Sequence, residues 1–304
     1  MLVTLFVVSI LVFLAFNIIP GDPASRILGT EATQAQLDRL REEMGLNDPL
    51  YVRYFRWVWS FIHGDLGQSY TYGSVSALIL DKIPITIWLA IMAFILMFFI
   101  SIPIGILTAR HEGGVIDKIV VVLDQVIMAI PPFFSGIIIT LVFGLWLHLF
   151  VPGGFVSYKK DFWGFIGYLI LPAIAIALPK ITMCVKLLRG SFIEEISKDY
   201  TRTAYSRGNT TRGVLYRHVL KNAMIPVITF MGMALADMVS GSIVIEQVFN
   251  IPGIGRMLLN SINNRDYPVV EAIIMGIAIL VMVVNLLVDI IYRLVDPRIE
   301  TIND

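Results

Sequence analysis

Charge is scarce in this sequence. Asp, Glu, Lys and Arg make up 15% of its 304 residues and apolar side chains 57%, whereas soluble domains carry roughly 25% charged residues. That balance excludes a soluble domain. Apolar runs of roughly 20 residues, each long enough as a helix to cross about 30 Å of hydrocarbon, recur along the chain. Formal net charge is zero, so electrostatic information lies only in where the charges sit. Cysteine is almost absent. Cys184 stands alone in an apolar run, so it forms no internal disulfide and reports nothing about redox compartment. No G-x-x-x-x-G-K-Ser/Thr phosphate loop occurs, so no nucleotide or other cofactor is expected in this chain. His63, His111 and His148 are scattered without a second ligand at metal spacing, which gives no metal site. A Ser-His-Asp or paired-carboxylate constellation is missing too, so the chain is not read as an enzyme. Internal repeats and low-complexity tracts are absent.

What is present is an all-α, polytopic pattern. Six spans are read: Met1–Ile19, Ile83–Thr108, Ile119–Phe150, Phe162–Leu188, Met224–Phe249 and Val269–Leu294. The domain plan is a first membrane helix (1–19), a loop (20–82), a membrane core (83–294) that contains a loop region at 189–223, and a tail (295–304). The third span is too long for a straight crossing, and Pro131 and Pro132 predict a bend. The first lacks a basic n-region and a small-residue cleavage site, so it is a membrane helix rather than a signal peptide. Its missing basic flank leads to the expectation that the natural start lies upstream of Met1.

Lys and Arg in the short loops set the orientation. With the N-terminus in the cytoplasm, the inner segments hold Arg110, Lys118, Lys180, Lys186, Arg189, Lys198, the basic residues from Arg202 to Lys221, Arg293 and Arg298. The short outer loops hold only Lys159, Lys160, Arg256 and Arg265. Both termini are therefore expected inside. The long outer loop is expected to be structured: TEATQAQLDRLREEMG offers a capping box in Thr33 and Gln36, an apolar face of Leu37, Leu40 and Met44, and a stop at Gly45. Asp48 as N-cap and Pro49 as first residue open a second helix, whose Tyr51, Tyr54, Phe55, Trp57, Trp59 and Phe61 suit the headgroup zone. It reads as an anchor in the bilayer surface or as a platform for an external partner.

Residues 206–226, SRGNTTRGVLYRHVLKNAMIP, concentrate positive charge in an otherwise greasy chain. Upstream, Ser191 and Glu194 form a capping box and Gly208 suits a left-handed C-cap, which predicts a helix from Phe192 to Arg207. A second short helix places Val214, Leu215, His218 and Val219 on one stripe, with Arg212, Arg217 and Lys221 elsewhere. Charges that merely enforced topology would need no caps, glycine hinge or amphipathic helix. A helix-turn-helix nucleic-acid reader is disfavoured because membrane spans tether both ends. The remaining reading is a coupling element held and moved by a cytoplasmic motor protein.

Here the sequence resembles the membrane subunits of ATP-binding-cassette importers, in the branch that imports peptides and nickel. The importer signature, Glu-Ala-Ala, three residues, Gly, then Ile-x-Leu-Pro, falls on Arg202, Thr203, Ala204, Gly208 and then His218, Val219, Leu220, Lys221, of which Ala204, Gly208 and Leu220 keep the general pattern. DYTRTAYSRG with RHVLKNAMIP resembles the peptide-branch version, as do GDPAS, MGLNDPLYVRY, IEQVFNIPGIGR, NRDYPVVEA and VDPRI, in order along nearly the whole chain. The resemblance implies a type I permease fold in a bacterial or archaeal plasma membrane. It also implies a heterodimer with a homologous permease, two cytoplasmic ATPases that carry ATP and Mg and grip the coupling segment, and an extracytoplasmic binding protein. Gly208 would set the angle between the knob's helices, while Val214, Leu215 and Val219 fill a groove in the ATPase.

Ionisable groups inside spans are costly unless paired or wet. Asp124 with Gln125, Pro131, Asp237, Ser240 and Glu246 are the pathway candidates, Asp237 facing either the pathway or the partner permease. Pro252, Gly253, Gly255 and Arg256 are read as a tight re-entrant loop at the outer mouth, completed by Arg265 and Asp266, with an ordinary turn as the alternative. Oligopeptides or dipeptides are the first expectation for substrate. Nickel, a metal chelate or a glutathione-like peptide is the alternative, and an ATPase-independent secondary transporter the rival class.

Overall fold

The computed structural model describes residues 2–18, 22–29 and 31–295. The tail from residue 296 onward lies outside them, as do Met1, Ile19 and the Gly21 of GDPAS. The chain divides into two units, Met1–Ile85 with Pro252–Met282, and Thr86–Ile251 with Val283–Asp304.

In the first unit, α1 (Leu2–Ile18) is apolar all round, with Val3, Phe6, Leu11 and Ile18 exposed. A short α2 (Pro23–Leu28) begins at Asp22, whose side chain accepts from the Ala24 N–H at 3.2 Å. In α3 (Gln34–Glu43) the expected capping box is present: Gln36 accepts from the Thr33 N–H at 2.9 Å. The next helix, α4 (Leu50–Ile62), starts one residue later than the sequence suggests. Pro49 is its N-cap, and Asp48 instead pairs with Arg56 at 2.8 Å. Tyr51, Phe55, Trp59 and Ile62 are exposed on one face of α4, while Arg53, Trp57 and Ser60 fall at helical spacing on another. A two-residue hairpin, β1 (Gln68–Ser69) and β2 (Gly73–Ser74), precedes α5 (Val75–Arg110). The unit also holds α12 (Ile254–Asn263) and most of α13 (Tyr267–Val295).

The second unit is built around α8 (Phe162–Ser197), against which α6 (Val115–Ala129), α7 (Pro132–Ile139) and α11 (Leu220–Val248) all pack. Its 36 residues make it roughly 54 Å long at 1.5 Å per residue, well beyond the hydrocarbon thickness of about 30 Å. A substantial length therefore extends past the bilayer. Phe165, Leu169, Cys184, Leu188 and Phe192 are fully buried along it. α5 lies so close that a Cβ on Gly105 would come within 2.8 Å of Leu188, and Ser101 donates to the Cys184 thiol at 3.1 Å. Pro172 and Pro179 sit inside α8 and Pro226 inside α11, as packed membrane helices tolerate.

Among the described residues four helices are long and apolar enough to cross a membrane: those at Val75–Arg110, Phe162–Ser197, Thr211–Val248 and Tyr267–Val288. The predicted bend is present. α6 and the segment Pro132–Trp146 form a broken pair with a 101° angle, because Ile130 leaves the helix and two prolines follow. Counted as one span the pair makes five, and α1, at 17 residues, falls just short of the same length.

Candidate functional site: a charged helix face and an exposed knob

Lys180 lies midway along α8, not in a loop among the basic residues outside the bilayer, where the charge pattern puts it. Its ammonium reaches the Asp237 carboxylate of α11 at 2.6 Å. Within this chain the Lys180 side chain is 28% exposed and Asp237 63%. Neighbouring positions carry the face along both helices. Met183, Lys186 and Gly190 are exposed on α8, and Met233, Ser240, Gly241 and Val244 on α11, at helical spacing. On α6, Gln125 is exposed and Asp124 half-buried, with Lys186 as the cation whose field acts on Asp124. Pro131 is exposed at the bend. Asp124, Gln125, Asp237 and Ser240 thus share open helix surface in the second unit.

Glu246 does not join them. Its side chain is fully buried and accepts a hydrogen bond from Thr86 Oγ1 of α5 at 2.6 Å, which ties two membrane helices together rather than lining a path. The re-entrant-loop reading of IPGIG is also corrected. Gly253 is the extended N-cap of α12, Gly255 is buried in that helix's first turn, and Pro252 and Arg256 flank them half-buried. In the same unit Arg265 is exposed with φ +53°, while buried Asp266 accepts from Ser69 Oγ and from the Tyr70 N–H at 3.1 Å, fastening the hairpin.

The basic knob differs in its local plan. α8 continues unbroken through Ser191 to Ser197, so Ser191 caps nothing, and the helix breaks instead at Lys198, where ψ is 151°. A separate α9 (Asp199–Ser206) follows, closed by Gly208 at φ +80° with its N–H on the Tyr205 carbonyl. Thr210 then caps α10 (Thr211–Val214), accepting from the Gly213 N–H at 3.3 Å. A π-helical turn (Leu215–Val219) leads without a break into α11.

Val214, Leu215 and Val219 are buried in the chain's own core, as is Ala204, so they offer no groove-filling face to another subunit. His218 is exposed, off the apolar stripe that regular helical spacing assigns it, because the π turn changes the register. Leu220 is half-buried. The surface open to a partner runs from Arg202 and Thr203 through Tyr205, Arg207 and Gly208 to Arg212, with Tyr216 and Arg217.

One junction escapes sequence reasoning altogether. Arg189 of α8 donates to Asp117 of α6 through Nε at 2.5 Å and Nη2 at 2.7 Å, and the Gly113 N–H adds a third bond at 2.8 Å. Nothing local to VIDK or LLRG signals this pair, which forms only when α6 and α8 meet. Lys180 carried a usable signal: a lysine in the apolar run ALPKITM requires a partner, and Asp237 needed one too.

Comparison with known proteins places the chain. Residues 101–301 match the model of the binding-protein-dependent transport system inner membrane component family, and residues 1–90 match the model of its N-terminal region. The chain is 37% identical over 297 residues to the oligopeptide transport system permease protein AppB of Bacillus subtilis, covering 96% of this chain and 94% of that one. It is 35% identical over 294 residues to the probable peptide ABC transporter permease protein y4tP of Sinorhizobium fredii, again with 96% and 94% coverage. The glutathione transport system permease protein GsiC of Escherichia coli is 34% identical over 298 residues, 98% of this chain and 95% of its own.

Proposed function

The chain belongs to the family of binding-protein-dependent transport system inner membrane components, and from that premise we propose that it is the permease subunit of an ATP-driven importer of peptides. In this reading an extracytoplasmic binding protein delivers the substrate, a homologous permease faces the charged helix surface, and two cytoplasmic ATPases hold the knobs of the two permeases. Both termini lie in the cytoplasm of a bacterial or archaeal cell. Peptides are favoured as cargo because the relatives AppB and y4tP are named for them.

The observation that carries the proposal is Asp237. A carboxylate 63% exposed in the middle of a membrane-crossing helix costs about 3 kcal/mol against lipid, so its face borders water or another subunit. A path between two permeases supplies both. Lys180 and Asp237 then present a cation and an anion side by side, the two charges that the ends of a peptide zwitterion complement. Movement enters through the knob. When the ATPases close, α9 and its Gly208 turn are pulled, and the unbroken α10–α11 rod transmits the shift to Asp237 because α11 is continuous from Leu220 to Val248.

The test is uptake of a labelled dipeptide and tripeptide into proteoliposomes holding this chain, its co-purified permease and ATPases, and the loaded binding protein. ATP-dependent uptake that falls sharply in Asp237→Asn supports the reading. Accumulation by this chain alone, without ATPase subunits, overturns it.

A further inference from the structure

The first unit holds an open-sided pocket of about 590 Å³, well within the range of small-molecule sites. The path and the knob leave it unused. Its walls come from the last turns of α1 (Phe13, Phe16, Asn17), from α3 (Leu40, Met44), from the inner face of α4 (Arg53, Trp57) and from the first turn of α13 (Tyr267, Glu271). Two of those four elements are apolar helices ending at this level, so the cavity sits where hydrocarbon gives way to water. The opposite face of α4 displays Tyr51, Phe55 and Trp59, the aromatic composition of the headgroup zone.

Its polar content is unusual. Glu271 lies one turn inside a membrane helix, and neither it nor Arg53 has a hydrogen-bond or ion-pair partner among the described residues, although Arg53 is the charge whose field reaches Glu271. Arg56 is occupied by Asp48 at 2.8 Å, and Asp65 accepts from the Gly67 N–H at 3.0 Å. The charged side chains of the wall, Arg53 and Arg56 against Asp65 and Glu271, sum to zero. An anionic guest gains nothing overall. A neutral guest that carries one anion and one cation, beside apolar carbon, answers each feature.

We propose that this cavity holds a phosphatidylethanolamine-type lipid, with its phosphate on the Arg53 guanidinium, its ammonium on the Glu271 carboxylate, and its glycerol and upper chain carbons against Phe13, Phe16 and Trp57. A guanidinium fork suits a phosphate, and a primary ammonium brings three N–H donors to a carboxylate, which a quaternary choline headgroup lacks. A zwitterionic peptide carries the same two charges. It is disfavoured because the surrounding wall is mainly apolar and continuous with a helix whose outer side is bare hydrocarbon surface. The bound lipid would fill the space between α1 and α4, so it would be a structural ligand of this unit, whatever the transporter carries.

The full chain, purified in detergent and stripped of lipid, is titrated with phosphatidylethanolamine, phosphatidylcholine, phosphatidylglycerol and trialanine and read by native mass spectrometry. One phosphatidylethanolamine per chain is expected, held roughly tenfold more tightly than phosphatidylcholine, the size of one charge-assisted hydrogen bond. Glu271→Gln should erase that preference, and Arg53→Met should weaken phosphatidylethanolamine and phosphatidylcholine alike, because both carry the phosphate. Equal retention of the three lipids by the unaltered protein overturns the proposal without needing any variant. So does a preference that survives Glu271→Gln, phosphatidylethanolamine binding unchanged by Arg53→Met, or displacement of the bound lipid by one trialanine, which would make this a peptide site.

Discussion

Replacing Arg189 with methionine should loosen the junction of α6 with α8. The Asp117 side chain is 5% exposed and is held by two guanidinium bonds of 2.5 and 2.7 Å and one backbone N–H at 2.8 Å. Without Arg189 a buried carboxylate keeps a single backbone donor. Orphaning one member of a buried pair costs about 3–5 kcal/mol, and the 27% exposure of Arg189 places this case near the lower end, at about 3 kcal/mol. Asp117→Asn keeps the shape and some of the hydrogen bonding, so about 1.5 kcal/mol is expected. If each residue acts mainly through the other, the double variant should fall short of the summed losses by about 2 kcal/mol. Global unfolding of a polytopic membrane protein is not two-state, so the assay is hydrogen exchange at the local amides of Gly113 and Lys118. A loss of about 3 kcal/mol corresponds to roughly 150-fold faster exchange there. Strict additivity of the two substitutions, or unchanged protection in Arg189→Met, would refute the coupling.

Four further outcomes follow from single positions. Gly208 sits at φ +80° with nothing within 4 Å of where a Cβ would stand, so Gly208→Val acts through backbone strain of roughly 1–2 kcal/mol; binding-protein-stimulated ATPase activity of the assembled complex should drop at an unchanged membrane level, with Gly208→Asn intermediate. An added Cβ at Gly232 would lie 2.1 Å from Val288, so Gly232→Ala should destabilise the packing of α11 on α13 by about 1–3 kcal/mol and lower the thermal midpoint in detergent. Gly190→Ala, in the open, should leave that midpoint unchanged or raise it. Arg41 bonds hold the Asp22 carboxyl below its usual value, so the link from α2 to α3 is complete at neutral pH and is lost only as pH falls below about 3.9. A carboxyl-carbon titration of Asp22 should show this, with Arg41→Met moving its midpoint upward; coincident curves in the two proteins would contradict it.

Membrane class, helix type and the bend at Pro131 were legible in the sequence because each depends on composition over one turn or one span. Hydrocarbon demands about 20 apolar residues wherever the chain crosses, and a double proline removes backbone donors regardless of neighbours. Local caps were legible for the same reason: Thr33 with Gln36, and Gly208 at the end of α9, need only their own turn. Capping patterns failed where packing overrode them. Ser191 and Glu194 match a helix start, yet Phe192 is fully buried in continuous α8, and leaving the helix there would have broken that packing.

Which side chains face outward was decided by the tertiary structure. Val214, Leu215 and Val219 look like a docking ridge in isolation but complete this chain's own core, and Glu246 looks like a pathway carboxylate but is fully buried and accepts a hydrogen bond from Thr86. Lys180 meets Asp237, and Arg189 meets Asp117, across separations of 57 and 72 residues. Periodicity along one helix says which residues share a face. It carries no information about which neighbour covers that face, because coverage is set by how helices distant in sequence pack, and that packing alone settled what each buried charge does.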